Sequence, residues 1–239
     1  MKAERRCAMK YREVGFRAVY HRFCGVMLSE NLKKVIDGFP GAEEANSVLT
    51  YGYYDKDAGL TLEILTLAIV ADESFKFGKG SYEVSAKIRA GALEDEELLF
   101  CPDEDGKIAE LFSEKLDILK SYDASEDVEK TREMEFLDPC RHELYIDDVL
   151  VRLVKEGLTP EECWVTITGL GDHYFVGTLL NEPDQDFGWH EGETIEFHVM
   201  KTDEDKIICF SDMDVFAKLS DEDLADGTIG KDLFEIIEK

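Results

Sequence analysis

Residues 163–168 (CWVTIT), 174–180 (YFVGTLL), 194–200 (TIEFHVM) and 206–210 (KIICF) decide the fold. Each run is short, alternating, and rich in β-branched and aromatic side chains, the pattern of a strand with one buried face. Residues 169–172 and 202–205 supply turns between them. Four short strands with tight turns cannot cover both faces as a flat sheet. They predict a small curved or barrel-like antiparallel β-sheet. Just upstream, Ile146, Val149, Leu150, Leu153 and Val154 recur at helical spacing, and Gly157 and Pro160 follow. Residues 142–156 are therefore read as an amphipathic helix that closes the sheet.

Working outward toward the N-terminus, residues 14–23 read as a strand. Ser29 caps a short helix with Leu32, Val35 and Ile36 on one face, stopped by Gly38 and Pro40. Residues 47–54 and 60–70 form a hairpin across the turn at 55–59. The apolar face switches within 60–70, which implies a bulge or a strand covered on both sides. Residues 82–88 read as a further strand and the acidic stretch 94–105 as mostly loop. Ile108, Leu111, Phe112, Leu116 and Leu119 place an amphipathic helix in 106–120. The expected fold class is α+β. It has an N-terminal α/β sandwich, with a ferredoxin-like arrangement among the options, plus the C-terminal helix and small β-sheet. Residues 1–122 form the N-terminal domain. Residues 123–142 form a charged helical connector, with Ser125 as cap and a helix through Leu137 ended by Pro139. Residues 143–239 form the C-terminal β-rich domain, whose tail carries a capping box at Ser220 and Asp223 and a last amphipathic turn through Leu233, Phe234, Ile236 and Ile237.

The chain has 239 residues, of which 54 are Asp or Glu and 27 are Lys or Arg, so it carries a net charge of −27. Hydrophobic residues make up 44%, enough for a real core, which excludes wholesale disorder. Such a charge repels phosphate backbones and excludes a general nucleic-acid binder. Residues 1–24 depart from this, with seven Lys or Arg against two acids. Their charges interrupt every apolar stretch that a signal peptide would need. The longest apolar run, 60–71, is too short to span a membrane and carries Glu63. The expectation is a soluble, cytoplasmic protein without membrane contact. The cysteines Cys7, Cys24, Cys101, Cys140, Cys163 and Cys209 form no CxxC and read as reduced, mostly buried thiols.

The stretch 163–199 also carries a recognisable pattern: Trp164 leading a strand, Gly177, Leu179, Asn181 and Pro183 around a turn, and Gly192 with Glu193 opening the next strand. It resembles the bacterial family catalogued as domain of unknown function 2314, whose relatives look like immunity proteins of polymorphic toxin systems. The resemblance covers about a quarter of the chain. It implies a small β-rich domain and brings no catalytic residue. Read without any family, Gly177 in mid-strand permits a bulge or close backbone approach. Asn181, Glu182 and Pro183 initiate a turn, Gly192 supplies a positive φ, and Trp164 packs in the core.

Known chemistry is mostly missing from the sequence. The histidines His21, His142, His173, His190 and His198 form no HExxH or HxH, and residues 101–112 fail as a calcium loop because Phe112 stands where a bidentate Glu is required. There is no GxGxxG, GxxxxGK[ST] or GxSxG. No catalytic residue, metal ligand or cofactor is assigned. The candidate binding residues are Asn181, Asp184, Asp186, Trp189, His190 and Glu191. The expected function is a non-catalytic acidic module that binds a basic protein partner, in the manner of an immunity protein. The alternatives are an enzyme of unrecognised type, with His173 or His190 beside a carboxylate and a thiol, and a small-ligand-binding regulatory module.

Overall fold

The computed structural model describes residues 2–4, 9–71, 74–78, 80, 85–202 and 205–212. The expected C-terminal capping box and last amphipathic turn lie outside these residues, as do residues 82–84 of the expected strand at 82–88, whose described end is extended at Lys87–Arg89. The chain divides into two compact units between Asp123 and Ala124. Helices and strands are mixed in the α+β manner.

The first unit is built on one antiparallel sheet. Its strands are β1 (Lys2–Glu4), β2 (Met9–Lys10), β3 (Phe23–Met27), β4 (Ser47–Asp55), β5 (Gly59–Ala71), β6 (Ser74–Phe77), β7 (Lys87–Arg89) and β8 (Glu97–Phe100). The order is β1-β6-β5-β4-β3-β8-β2, and β7 pairs with the first half of β5. Strands β3 to β6 follow one another as a meander, so the ferredoxin-like option, which needs helical crossovers between parallel strands, is not what forms. The hairpin β4–β5 runs from Ser47↔Ala68 to Asp55↔Gly59, with Gly59 at φ +76° in its turn. The register slips between Leu49 and Thr50, where Leu65 of β5 has no opposite residue. That bulge is the face switch read from the sequence.

Helix α1 (Tyr11–Val14) is followed by a 3-10 turn at Phe16–Ala18. The expected strand over 14–23 therefore starts only at Phe23, because Gly15 at φ +68° and His21 at φ +51° turn the backbone out of extended geometry. The expected loop at 94–105 contains β8, where Leu98 and Leu99 are buried amid acids. The Ser29 hydroxyl accepts a hydrogen bond from the Leu32 N–H (3.4 Å), but the segment is a 3-10 turn, Leu32–Ile36, and its N-cap position is Asn31. The expected helix at 106–120 forms as α2 (Lys107–Leu111) and α3 (Ser113–Leu119), interrupted at Phe112. Phe112 and Ile108 seal the core cluster of Leu49, Leu65, Phe75, Phe77 and Leu99.

The second unit begins with α4 (Glu126–Glu133), capped by the Ser125 hydroxyl on the Val128 N–H, and a 3-10 turn at Glu135–Cys140 containing Pro139. Residues 124–142 of the segment read as a connector thus belong to this unit. Five strands follow: β9 (Asp148–Val154), β10 (Glu161–Leu170), β11 (Phe175–Leu179), β12 (Thr194–Lys201) and β13 (Ile207–Asp212). They close into a barrel in sequence order. Four seams are antiparallel, and the closing seam, β13 to β9, is parallel. An up-and-down barrel with an odd number of strands must close this way, since its first and last strands point in the same direction.

The barrel-like sheet is therefore as expected, but the expected helix at 142–156 is a correction. Val149, Val151 and Leu153 are fully buried and alternate with Leu150, the exposed Arg152 and Val154. This is a period of two in a β-branched run, and burial on the barrel's inner face selects it over the coincidental helical spacing. Upstream, the His142 imidazole accepts from the Leu144 and Tyr145 N–H groups (3.1 and 3.2 Å), which holds the chain in a turn. Trp164 points out of the barrel rather than into its core. It is half-buried, with its ring edge-on to His142 at 5.2 Å. The glycine readings hold. A Cβ on Gly177 would lie 2.8 Å from the Thr166 carbonyl oxygen, and Gly192 has φ +84°.

Candidate functional site

Between β11 and β12 the barrel throws out its longest connection, residues 180–193, at a length where irregular loops usually serve function. All six candidate residues sit on it. Local chemistry makes it a fixed shape. Asn181 Oδ1 accepts from the Trp164 N–H (2.8 Å), and the Leu180 N–H donates to the Trp164 carbonyl (2.8 Å). The Asp184 N–H donates to Glu161 Oε1 (2.8 Å), and the Gln185 amide brackets the backbone of Thr159. Asp186 Oδ1 accepts from the Gly188 N–H (3.1 Å), and Lys155 Nζ donates to the Asp186 carbonyl (2.7 Å). Phe187 plugs the barrel core, with Trp189 half-buried against it.

The tip is a small charged lattice. His190 Nδ1 lies 2.8 Å from Glu182 Oε1, and Glu182 Oε2 accepts from the Glu191 N–H (2.9 Å). Glu193 Oε2 accepts from the His190 N–H (2.8 Å). The hydrogen bond between them raises the His190 imidazole and lowers the Glu182 carboxyl from their ordinary values. The structure thus divides the candidates. Asn181 and Trp189 are engaged in holding the loop, whereas Asp184, Asp186, His190 and Glu191 are exposed. Glu182 and Glu193 complete the exposed set. Sequence reasoning passed over them as site residues, although the turn initiator at 181–183 and the acid after Gly192 marked their places.

A second constellation lies in the first unit and had no signal in the sequence. Phe23, Tyr51, Glu63 and Lys87 form a row across β3, β4, β5 and β7. His21 stacks on Tyr20 (4.0 Å) and more distantly on Tyr51 (6.2 Å), and its Nε2 lies 3.5 Å from Asp123 Oδ1. A carboxylate there can orient the ring, and a non-glycine φ of +51° is the kind of strain that functional sites store. Farther along the row, Glu63 is buried, accepts from Ser85 Oγ (2.7 Å), and faces Lys115 Nζ at 3.9 Å. Burial pushes Lys115 down from its ordinary value. Lys87 sits over the rings of Tyr53 and Tyr122 at 5.6 and 5.5 Å, and the neighbouring Tyr53 hydroxyl raises it from its ordinary value. Only the strand register brings these residues together. An open groove of about 660 Å³ beside β5 and β6, lined by Pro40, Ala45, Leu67, Ile69 and Phe77 among others, contains none of the candidate residues.

His198 of β12 is mostly buried, with Nδ1 3.0 Å from the His173 carbonyl and the rings of Tyr174 and Phe210 around it. Burial lowers its imidazole from the ordinary value. The unfolded chain takes up a proton near pH 6.5, and the folded barrel does so only at lower pH. This group's contribution is therefore complete above about pH 6.5 and is lost as the pH falls through that range. The stability advantage of the parent over His198→Gln in urea denaturation is expected to shrink between about pH 7.5 and pH 5. An advantage that stays constant would remove His198 as the cause.

Among the described residues no group of three or more His, Cys, Asp or Glu converges as a metal site, and no helix is long and apolar enough to cross a membrane. Compared with known proteins, the chain matches no family model, no curated protein and no solved structure.

Proposed function

We propose that this protein is a non-catalytic, acidic protein-binding module of the cytoplasm that occupies a basic partner, as an immunity protein occupies its toxin. Its docking edge is the loop of residues 180–193. One observation carries this reading. The loop exposes Glu182, Asp184, Asp186, Glu191 and Glu193, contains no Lys or Arg, and is held in shape by its own hydrogen bonds. An edge already ordered spares the entropy of ordering on binding, and its field steers an oppositely charged partner. The net charge of −27 extends the same field over the molecule. An enzyme that acts on phosphate backbones needs a cationic groove, and a fixed acidic edge can fill it. The resemblance of residues 163–199 to immunity-like proteins points the same way.

The test is a pulldown from native host lysate at about 50 and about 500 mM salt, with the parent and with Asp184→Lys/Glu191→Lys, read by mass spectrometry. A basic protein is expected at low salt, absent at high salt, and reduced about tenfold by the double variant. Equal recovery by the variant would place the docking edge elsewhere. A clean lane at both salts would count against a partner in that lysate.

A further inference from the structure

The row from Phe23 to Lys87 holds one cation of its own, and that end shows what the other end can take. Lys87 lies over the rings of Tyr53 and Tyr122, which meet each other at 4.6 Å, and Glu63 stands opposite it across β5 and β7. Ring faces with an acid beside them are the surroundings in which an organic cation binds. The far end repeats these parts. The ring of His21 lies near-parallel to that of Tyr51 (16°, centroids 6.2 Å), Tyr20 backs His21 (21°, 4.0 Å), and Phe23 tilts against Tyr51 at 5.1 Å. The acid is Asp123, whose Oδ1 lies 3.5 Å from His21 Nε2. The side chains of His21 and Asp123 are 37% and 48% exposed, so a ligand can reach both. Lys120, which feels the Asp123 charge, gives its own ammonium to Asp117 at 2.7 Å. Among the described residues no Lys or Arg lies over Tyr51 or His21. The rings are also held ready. The His21 N–H donates to the Gly52 carbonyl (2.9 Å) and the Gly52 N–H to the Arg22 carbonyl (3.2 Å), which keeps His21 at its φ of +51°. A site ordered before binding spares the entropy of ordering it.

We propose that the rings of His21 and Tyr51, together with the Asp123 carboxylate, recognise the guanidinium group of an arginine presented by a partner polypeptide. The flat guanidinium stacks on the aromatic faces, and its N–H groups donate to Asp123. A lysine ammonium carries the same charge, but it is a compact, strongly hydrated point without a face to stack, so it fits this site less well. A flat anion such as a nucleotide is repelled by Asp123 and by the net charge of −27. The openness of the site selects the source. Rings and carboxylate at the surface bury only the end of a side chain, too little to hold a small free molecule well. An arginine carried on a polypeptide brings further contacts with it and has no carboxylate of its own to meet Asp123. This site lies in the first unit and uses no residue of the 180–193 loop, so it stands independently of the docking edge proposed above.

The test titrates the isotope-labelled full chain with acetyl-Gly-Arg-Gly-amide, acetyl-Gly-Lys-Gly-amide and free arginine, at about 150 mM salt to screen diffuse attraction, and follows backbone amide NMR shifts. The arginine peptide is expected to give saturable shifts centred on His21, Gly52 and Asp123. Its affinity is expected to exceed that of the lysine peptide and of free arginine by about threefold or more. Asp123→Asn, a change of charge at nearly constant shape on a half-exposed side chain, is expected to weaken it about fivefold, and Tyr51→Leu to do likewise. Asp184→Lys/Glu191→Lys, in the other unit, is expected to leave it unchanged, which separates this site from the loop. Shifts spread over the acidic surface, equal affinity for the lysine peptide, or full affinity in Asp123→Asn would overturn the proposal. Free arginine binding as tightly as the peptide would overturn the polypeptide source.

Discussion

Asp147→Ala is expected to destabilise the second unit by about 3–5 kcal/mol. Arg132, in the last turn of α4, is only 3% exposed, and it spends two bonds on Asp147: Nε on Oδ1 at 2.8 Å and Nη2 on Oδ2 at 2.6 Å. The third nitrogen reaches Glu129 Oε1 at 2.7 Å. Removing Asp147 takes two charge-assisted hydrogen bonds from a buried guanidinium, and α4 loses its clamp to the barrel. The pair itself is a weaker stabiliser than this loss implies, because both groups had to be desolvated to form it. Arg132→Met/Asp147→Leu is therefore expected to recover a large part of the deficit. The measurement is simple in this chain: both tryptophans, Trp164 and Trp189, belong to the second unit. Urea denaturation followed by tryptophan fluorescence reports that unit alone. A loss below about 1 kcal/mol for Asp147→Ala would show that water reaches the pair and screens it.

In the first unit the largest single effect is expected from Gly52→Ala, about 3 kcal/mol, at the top of the usual range for overpacking. Gly52 lies in β4 with an ordinary φ, so its need is for space and not for backbone freedom. A methyl group there would overlap the Val19 carbonyl group, whose carbon lies 2.7 Å from the Cβ position. That backbone cannot move freely, because the His21 N–H donates to the Gly52 carbonyl (2.9 Å) and the Gly52 N–H to the Arg22 carbonyl (3.2 Å). Relief would break these bonds and displace the His21 turn with its contact to Asp123. Gly15→Ala is the internal comparison: its Cβ meets nothing within 4 Å, and only its backbone at φ +68°, ψ −172°, a region essentially reserved for glycine, resists, which costs about 1–3 kcal/mol. Hydrogen exchange read by mass spectrometry should show β3 and β4 losing protection in Gly52→Ala well beyond Gly15→Ala. Equal effects would mean that the 19–22 segment yields easily.

Local chemistry made much of this fold legible. The β4–β5 hairpin follows from alternation on either side of a turn that ends at Gly59, and its bulge from the face switch within residues 60–70. The barrel strands from 163 onward announce themselves because each pairs with its neighbour across a short connection or a loop with turn chemistry of its own. The misreadings share one cause. In 146–154 the apolar residues satisfy both helical and strand spacing, and burial of Val149, Val151 and Leu153 inside a barrel settles the choice. In β8 only Leu98, Leu99 and Phe100 stand among acids, and the strand exists because β2 and β3 pair with it from either side.

The candidate loop was legible as a place, through Asn181, Pro183 and Gly192. Which of its side chains face water and which hold the backbone was not, since Trp164, Thr159 and Glu161, which anchor it, lie on another strand or just before it. The row from Phe23 to Lys87 left no trace at all. Sequence by itself determined the elements whose partners are near neighbours, because turn residues and alternation act over a few positions. The tertiary structure decided the barrel's closing seam and the buried ion pair, because these join residues far apart in the chain, and only burial in a shared core selects them.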